Sequence, residues 1–207
     1  MSQLPEKTVE RLSQYRRVLL KVCPTEKQHI YSHEIAVMLH LTPVQVRRDL
    51  MLIGYSGSQR KGYDINKLIH LIGDLIDSKE GQKVALIGVG NLGRAIIRYV
   101  NKKNSNLKIV AAFDINPDKV NKEVSGINCY HSDQLSEIIR IEKITIGIIS
   151  VPAERAVFVA EALVKSGIKG ILNFTAAPLN ISDKVFLEEY DMITSLEKVA
   201  YFSKKHL

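Results

Sequence analysis

Between Pro5 and Val22 apolar side chains recur at Val9, Leu12, Tyr15, Leu19 and Val22, a three-to-four spacing that winds one stripe down a helix. Arg11, Arg16, Arg17 and Lys21 fall on its other faces, Pro5 suits the first turn, and Pro24 stops the helix. A second helix is predicted from Ser32, a good N-cap, and carries Ile35, Val37, Met38 and Leu39. After a break at His40-Leu41, the run Thr42-Pro43-Val44-Gln45 starts a third. Thr42 caps it, Pro43 takes the first helical position, and Gln45 is placed to reach back and close a capping box. Val46, Leu50 and Ile53 share one face, so Gln45, Arg47, Arg48 and Asp49 are expected to point elsewhere. Gly54 ends the helix. Tyr55 to Tyr63 reads as a hairpin-like loop, with Ser58-Gln59-Arg60-Lys61 held between Gly57 and Gly62. The spacing Ile65, Leu68/Ile69, Ile72, Leu75/Ile76 predicts a fourth helix ending near Ser78, and Ser78-Lys79-Glu80-Gly81-Gln82 is the expected domain boundary.

From Lys83 the pattern changes to short apolar runs alternating with amphipathic ones. Strands are predicted at 84–87, 109–113, 127–130, 144–150 and 170–174, with helices at 92–102, 132–139 and 152–166. Such alternation implies a parallel sheet covered by helices on both faces. A last helix is predicted from Thr194, where Thr194-Ser195-Leu196-Glu197 has capping-box spacing.

Composition narrows the class. A chain of 207 residues with 45% hydrophobic and 25% charged residues carries enough apolar matter for a core, which excludes a disordered or collagen-like chain. Its two cysteines, Cys23 and Cys129, are far apart and give no disulfide scaffold, as expected of a reduced, cytoplasmic protein. No apolar run approaches the ~18 residues of a membrane span, and Met1-Ser2-Gln3-Leu4-Pro5-Glu6-Lys7 lacks the features of a signal peptide. The net charge of +7 is uneven: residues 1–63 hold 10 Lys and Arg against 5 Asp and Glu, and residues 64–207 hold 19 against 17. The basic excess therefore sits in the first third, as expected where a chain meets a polyanion.

Two constellations carry chemistry. Gly88-Val89-Gly90-Asn91-Leu92-Gly93 follows a predicted strand and opens a predicted helix. In that setting the first glycine permits the turn, the second lets backbone approach a pyrophosphate, and the third allows close helix–strand packing. The helix N-terminus offers free N–H groups to the phosphates. Asp114 ends the second strand, 21 positions after Gly93, where a carboxylate accepts from ribose hydroxyls and favours NAD over NADP. Residues 81–207 leave no room for a substrate domain, and their only histidines are His131 and His206. With no residue singled out for acid–base work, no catalytic residue or metal site is assigned. The chain is expected to bind a dinucleotide rather than to be an enzyme.

The second constellation lies in the basic third. Two helices joined by a short turn and followed by a basic, glycine-bearing hairpin describe a winged helix-turn-helix. Its second helix would present Gln45, Arg47 and Arg48 to the major groove, where glutamine pairs with adenine and arginine with guanine. Arg60 and Lys61 would reach the backbone or minor groove, with a phosphate contact from Arg16 or Arg17.

Taken together, these stretches resemble the Rex redox-sensing transcriptional repressors over essentially the whole chain. The resemblance rests on 45–50, Gly62-Tyr63-Asp64, Gly88–Gly93, the run from Phe113 to Lys119, Ser150-Val151-Pro152 and the run from Gly167 to Phe174. It implies a winged-helix domain over 1–80, a Rossmann domain over 81–190, and a C-terminal helix over 191–207 swapped into a partner subunit. It further implies a homodimer on an inverted-repeat, double-stranded operator, sensing NADH against NAD+ and released by NADH, with no membrane partner. It adds Lys119, Ser150, Val151, Pro152, Asn173 and Phe174 to the cofactor site and Ser58 to the DNA contacts. The resemblance also implies a dimer switch of Tyr99, Asp191, Met192 and Tyr201, in which Tyr99 would meet the partner subunit's Asp191 and Met192 would lie against the nicotinamide. Two stretches depart from the family pattern. Gly57-Ser58-Gln59-Arg60-Lys61-Gly62-Tyr63 stands for Gly-Lys-Arg-Gly-x-Gly-Tyr, and Asn173-Phe174-Thr175-Ala176 for Asn-Phe-Ala-Pro. The alternatives are a small NAD-dependent oxidoreductase with a helical N-terminal extension, and a CoA- or nucleotide-binding module that needs no acid at position 114.

Overall fold

The computed structural model describes residues 4–23, 27–58, 60–78, 80–102 and 106–204; Pro24, Gln59, Lys79 and His206 lie outside them. The chain divides into two units, Met1–Lys79 and Glu80–Leu207.

In the first unit, α1 (Glu6–Val22) buries Thr8, Leu12, Tyr15 and Leu19. Thr8 is buried where the stripe was expected to hold Val9, which is exposed; the Thr8 hydroxyl accepts from Arg11 Nη2. The second helix, α2 (Ser32–Leu39), is capped by Tyr31 and not by Ser32: the Tyr31 N–H donates to Glu34 Oε2 at 2.9 Å. His40 ends it in the left-handed conformation. As expected, Thr42 caps α3 (Pro43–Leu52), its hydroxyl accepting from the Gln45 N–H at 3.2 Å. Gln45 does not close a capping box, because its side chain turns along the helix to Asp49. Asp49 itself departs from expectation and is fully buried, paired with groups on α1. Strand β1 (His29–Ile30) pairs antiparallel with β2 (Tyr63–Asp64). Ahead of β2, Ser58 and Gly62 exchange backbone hydrogen bonds and close the wing. Gly62 has φ +75, and a Cβ there would lie 2.5 Å from the Ile30 carbonyl oxygen, so only glycine brings the wing this close to β1. Asp64 caps α4 (Ile65–Ile76), whose Ile65, Leu68 and Ile72 complete one core with α1, α2 and α3.

The second unit is a seven-stranded sheet. In chain order it comprises β3 (Gln82–Ile87), α5 (Asn91–Lys102), β4 (Leu107–Asp114), β5 (Lys122–Val124), β6 (Ile127–His131), α6 (Leu135–Glu142), β7 (Ile146–Ile149), α7 (Ala153–Lys165), β8 (Gly170–Asn173), β9 (Phe186–Glu189) and α8 (Met192–Ser203). The strands lie in the order β5-β6-β4-β3-β7-β8-β9, all parallel except β5. From β6 to β9 this is the 3-2-1-4-5-6 order of a Rossmann sheet read from one edge, with its switch point between β3 and β7. Alternation along β3 splits the core: Ala85 and Ile87 pack under α6 and α7, Val84 and Leu86 under α5.

Edges depart from the sequence reading. Strands β5 and β9 were not expected, since Lys-Glu-Val and Phe-Leu-Glu-Glu are short and largely exposed and show no apolar alternation. The run predicted at 144–150 pairs only over Ile146–Ile149. The helix expected from Ser132 opens as a tight turn, Ser132–Gln134, before α6. The last helix is capped by Asp191 and not by Thr194, with Asp191 accepting from the Ile193 N–H at 2.8 Å and the Thr194 hydroxyl at 2.6 Å. Helix α8 buries none of its residues; Met192, Ile193, Leu196, Val199, Tyr201 and Phe202 are all exposed. Among the described residues no helix is long and apolar enough to cross a membrane.

Candidate dinucleotide and DNA sites

The switch point places the glycine loop at the carboxyl ends of β3 and β7. Gly88, at φ +96, leaves β3 so close to the next crossover that a Cβ would sit 2.5 Å from the Ser150 carbonyl oxygen. At Gly93 a Cβ would sit 2.2 Å from the Gly88 carbonyl oxygen and 3.0 Å from Leu86 Cδ2, so α5 touches the strand it follows. Gly90 differs: its missing Cβ faces open space, with nothing within 4 Å. The loop is therefore packed tight on its inner side and open on its outer side at the middle glycine, the cradle a pyrophosphate needs.

Asp114 stands beside this cradle. Its Oδ2 accepts from the Val89 N–H at 2.8 Å and the Lys119 ammonium at 2.9 Å, and its Oδ1 from the Asn116 N–H at 2.9 Å. Burial pushes its pKa up, but Lys119 and the two backbone donors outweigh burial and hold the carboxyl below its ordinary value. It stays ionised, with an acceptor position on Oδ1 for a sugar hydroxyl. Ser150 braces the loop, donating to the Gly88 carbonyl at 2.9 Å, and Val151 and Pro152 follow it toward α7. The resemblance places Asn173 against the cofactor, yet its amide is used within the chain. Asn173 Oδ1 accepts from the Thr175 N–H and hydroxyl, while Nδ2 donates to the Ala177 carbonyl and Glu189 Oε1. That is the full capacity of a side-chain amide. Thr175 stands where the family pattern has alanine, and its hydroxyl is one of the two donors it gives to Oδ1. Phe174 meets Tyr190 edge to face at 5.5 Å, an aromatic pair invisible in the sequence because Tyr190 comes from the end of β9.

In the first unit, Gln45, Arg47, Arg48 and Thr42 gather at the start and middle of α3. Arg48 is exposed, and Arg47 is exposed with Nη1 donating to Ser32 Oγ at 3.2 Å. Arg60 and Lys61 stand exposed at the wing tip, which is tied down where the Tyr31 hydroxyl donates to the Arg60 carbonyl at 2.6 Å. Ser58 is a turn former: its Oγ accepts from the Arg60 and Lys61 N–H groups. Arg16 pairs within the unit, its guanidinium 2.7 Å from Asp77 at the end of α4. The sequence reading missed Arg11 and Tyr15, which reach Asp49 across the domain. In the second unit Tyr99, Met192 and Tyr201 lie at the surface.

A redox-sensing transcriptional repressor Rex from Anoxybacillus flavithermus is 38% identical over 204 residues, 99% of this chain and 96% of its own. The chain belongs to the Rex family. The family described as "CoA binding domain" also matches residues 79–177, and that described as "Putative DNA-binding protein N-terminus" matches residues 3–50. Among solved structures, the Rex-family repressor RSP in complex with beta-NAD+ and operator DNA matches all of this chain and 95% of its own, with TM-score 0.91 and 29% identity. RSP in complex with beta-NADH matches all of this chain and 97% of its own, with TM-score 0.87 and 28% identity.

Proposed function

We propose that this chain is a redox-sensing transcriptional repressor that binds an inverted-repeat operator as a homodimer in the cytoplasm and releases it when NADH binds. The observation that carries the reading is the full-length match, both units together, to a Rex-family repressor solved with beta-NAD+ and operator DNA. The residues fit a dinucleotide: the glycine loop leaves open space at Gly90, and Asp114 is an ionised acceptor beside it. When bound, the cofactor brings a nicotinamide that is cationic as NAD+ and neutral as NADH. Around it, Val151, Pro152 and Phe174 offer apolar walls that disfavour the cation. The N–H groups at the start of α5 face the pyrophosphate, and Asp114 accepts from the adenosine ribose. Gln45, Arg47 and Arg48 read or grip the operator, with Arg60 and Lys61 on the neighbouring backbone. The apolar side chains exposed along α8 are the surface that a partner subunit covers, with Tyr99, Asp191, Met192 and Tyr201 at the switch.

The test is a linkage measurement. NADH is expected to weaken operator binding, and operator to weaken NADH binding, by one common factor of about 5- to 150-fold, while NAD+ has a far smaller effect. A fluorescence titration in which saturating operator leaves the NADH affinity unchanged overturns the reading. Asp114→Ala separates the reading from the CoA-binding alternative. Loss of hydrogen bonds to a charged acceptor is expected to cost about 1.5–3 kcal/mol, or roughly 10- to 150-fold in NADH affinity. Unaltered affinity in that variant would favour the alternative.

A further inference from the structure

Helix α3 is joined to α1 by a buried charged network. Arg11 grips Asp49 with both arms of its guanidinium, Nε to Oδ2 at 2.6 Å and Nη2 to Oδ1 at 2.7 Å. The Tyr15 hydroxyl donates to Oδ2 at 2.6 Å. One position on the carboxylate is left, and Gln45 takes it, its Nε2 donating to Oδ1 at 2.9 Å from one turn earlier on the same helix. Asp49 and Tyr15 are fully buried, while Arg11 and Gln45 are partly covered.

A carboxylate accepts and does not donate, so Asp49 decides which end of the Gln45 amide turns inward. Burial alone would raise the Asp49 pKa, but the bonds from Arg11, Tyr15 and Gln45 outweigh it and keep the group ionised at neutral pH. The nitrogen must therefore face Asp49. That leaves Oε1 and the second N–H of Nε2 on the outer edge of the amide, and among the described residues no hydrogen bond takes Oε1. An amide presenting a fixed acceptor and a fixed donor side by side matches adenine, whose N6 donates and whose N7 accepts in the major groove. A freely turning glutamine lacks this order and loses rotamer entropy on binding.

We infer that Asp49, clamped by Arg11 and Tyr15, is a positioning residue for base recognition: it fixes the amide of Gln45 in the orientation that selects adenine. The inference rests on the proposed reading of α3 as the groove-entering helix and adds to it a determinant that never touches DNA. Asp49 and Tyr15 lie inside the fold and Arg11 is partly covered, so the effect reaches the base through the hydrogen bond from Gln45 to Asp49.

The test uses the full-length chain and duplexes enriched by it from a library with two randomised half-sites. Affinities are then measured for that duplex and for variants carrying each other base pair at every half-site position. The readout is the ratio of affinities between base pairs, which divides out any loss of folded protein. Gln45→Ala is expected to flatten the preference for A·T at one position of each half-site by about 5- to 150-fold. Asp49→Asn is expected to flatten the same position and no other, and the double variant to be no flatter than Gln45→Ala alone. Should Asp49→Asn fail to fold, Arg11→Lys keeps the charge but loosens the clamp, and it too should flatten that position. Full discrimination in Asp49→Asn or Arg11→Lys, with discrimination lost in Gln45→Ala, overturns the inference. Full discrimination in Gln45→Ala overturns it as well while leaving DNA binding intact. If the wild-type chain enriches no sequence at all, the DNA-binding reading falls with it.

Discussion

Gly93→Ala is expected to lose NADH binding and to melt at a lower temperature, whereas Gly90→Ala is expected to lose NADH binding alone. At Gly93 the added methyl would fall 2.2 Å from the Gly88 carbonyl oxygen, 3.0 Å from Leu86 Cδ2 and 3.1 Å from Ser150 Oγ. That carbonyl cannot retreat. Gly88 is held at φ +96 against the Ser150 backbone, and the Ser150 hydroxyl donates to the same oxygen at 2.9 Å. Helix α5 must therefore lift by about 1 Å, since packed interiors leave no slack to absorb the methyl. Overpacking of this kind costs about 1–3 kcal/mol, and it carries the helix's free N–H groups off the line of the pyrophosphate. At Gly90 the methyl meets nothing within 4 Å, so the fold is unaffected. It fills the space through which backbone must approach the phosphates. NADH fluorescence titrations and thermal melts on both variants decide the matter. Wild-type NADH affinity in either variant would show that this loop is not the cradle.

Arg11→Ala is expected to produce the largest loss of stability in the first unit. Asp49 is fully buried, and removing its guanidinium leaves a buried charge held only by a tyrosine and a glutamine. Breaking such a pair costs about 3–5 kcal/mol, against a whole-domain stability of about 5–15 kcal/mol. Operator binding should fall with it. Among the described residues the core of the second unit contains none of the first, so NADH binding should survive.

The pH dependence carries the sign. Asp49 has a folded pKa below its unfolded value, so the stability it contributes is present above about pH 3.9 and is lost as pH falls through the lower, folded value. Without Arg11 its hydrogen bonds and its charge no longer hold the Asp49 pKa down, so the folded pKa rises above its wild-type value. The deficit of Arg11→Ala should then be greatest at neutral pH and shrink as the pH falls through the variant's folded pKa. Denaturant melts of both chains across that range test this. A deficit that stays constant with pH, or a variant as stable as wild type, would remove the network from the account of the domain. Burial, aided by Asp49, also drives the Tyr15 phenol far above its ordinary pKa, so Tyr15 remains a donor throughout.

The parts of the site that could be read along the chain are those built by near neighbours. Thr42 and Pro43 announce α3, since a cap and the residue it bonds are three positions apart. Gly88, Gly90 and Gly93 lie within one turn and one loop, and each is glycine for a local reason: backbone sign, open approach, close packing. Asp114 is found because a strand of known length must end there for its carboxylate to stand beside the loop. Strands 84–87 and 109–113 declare themselves by uninterrupted apolar runs, as buried parallel strands do.

What escaped was set by residues far off in sequence. Asp49 looks like a surface acid on a helical wheel, because a polar letter at a polar spacing does not show that Arg11 and Tyr15 wait 38 and 34 residues earlier. Arg16 reads as a free cation until Asp77, 61 residues on, comes to meet it. Asn173, which the resemblance places at the cofactor, has amide partners that the sequence does not announce: β9 delivers Glu189, and the loop before it turns Ala177 back onto Nδ2. The chain's order of letters thus determined the architecture, the glycine loop and the capped helix α3, all of which follow from periodicity and short-range backbone chemistry. Only the folded molecule decided which polar side chains remain available to a ligand. Desolvation forces each buried charge or amide to find a partner, and which partner it finds depends on distances in space that spacing along the chain does not encode.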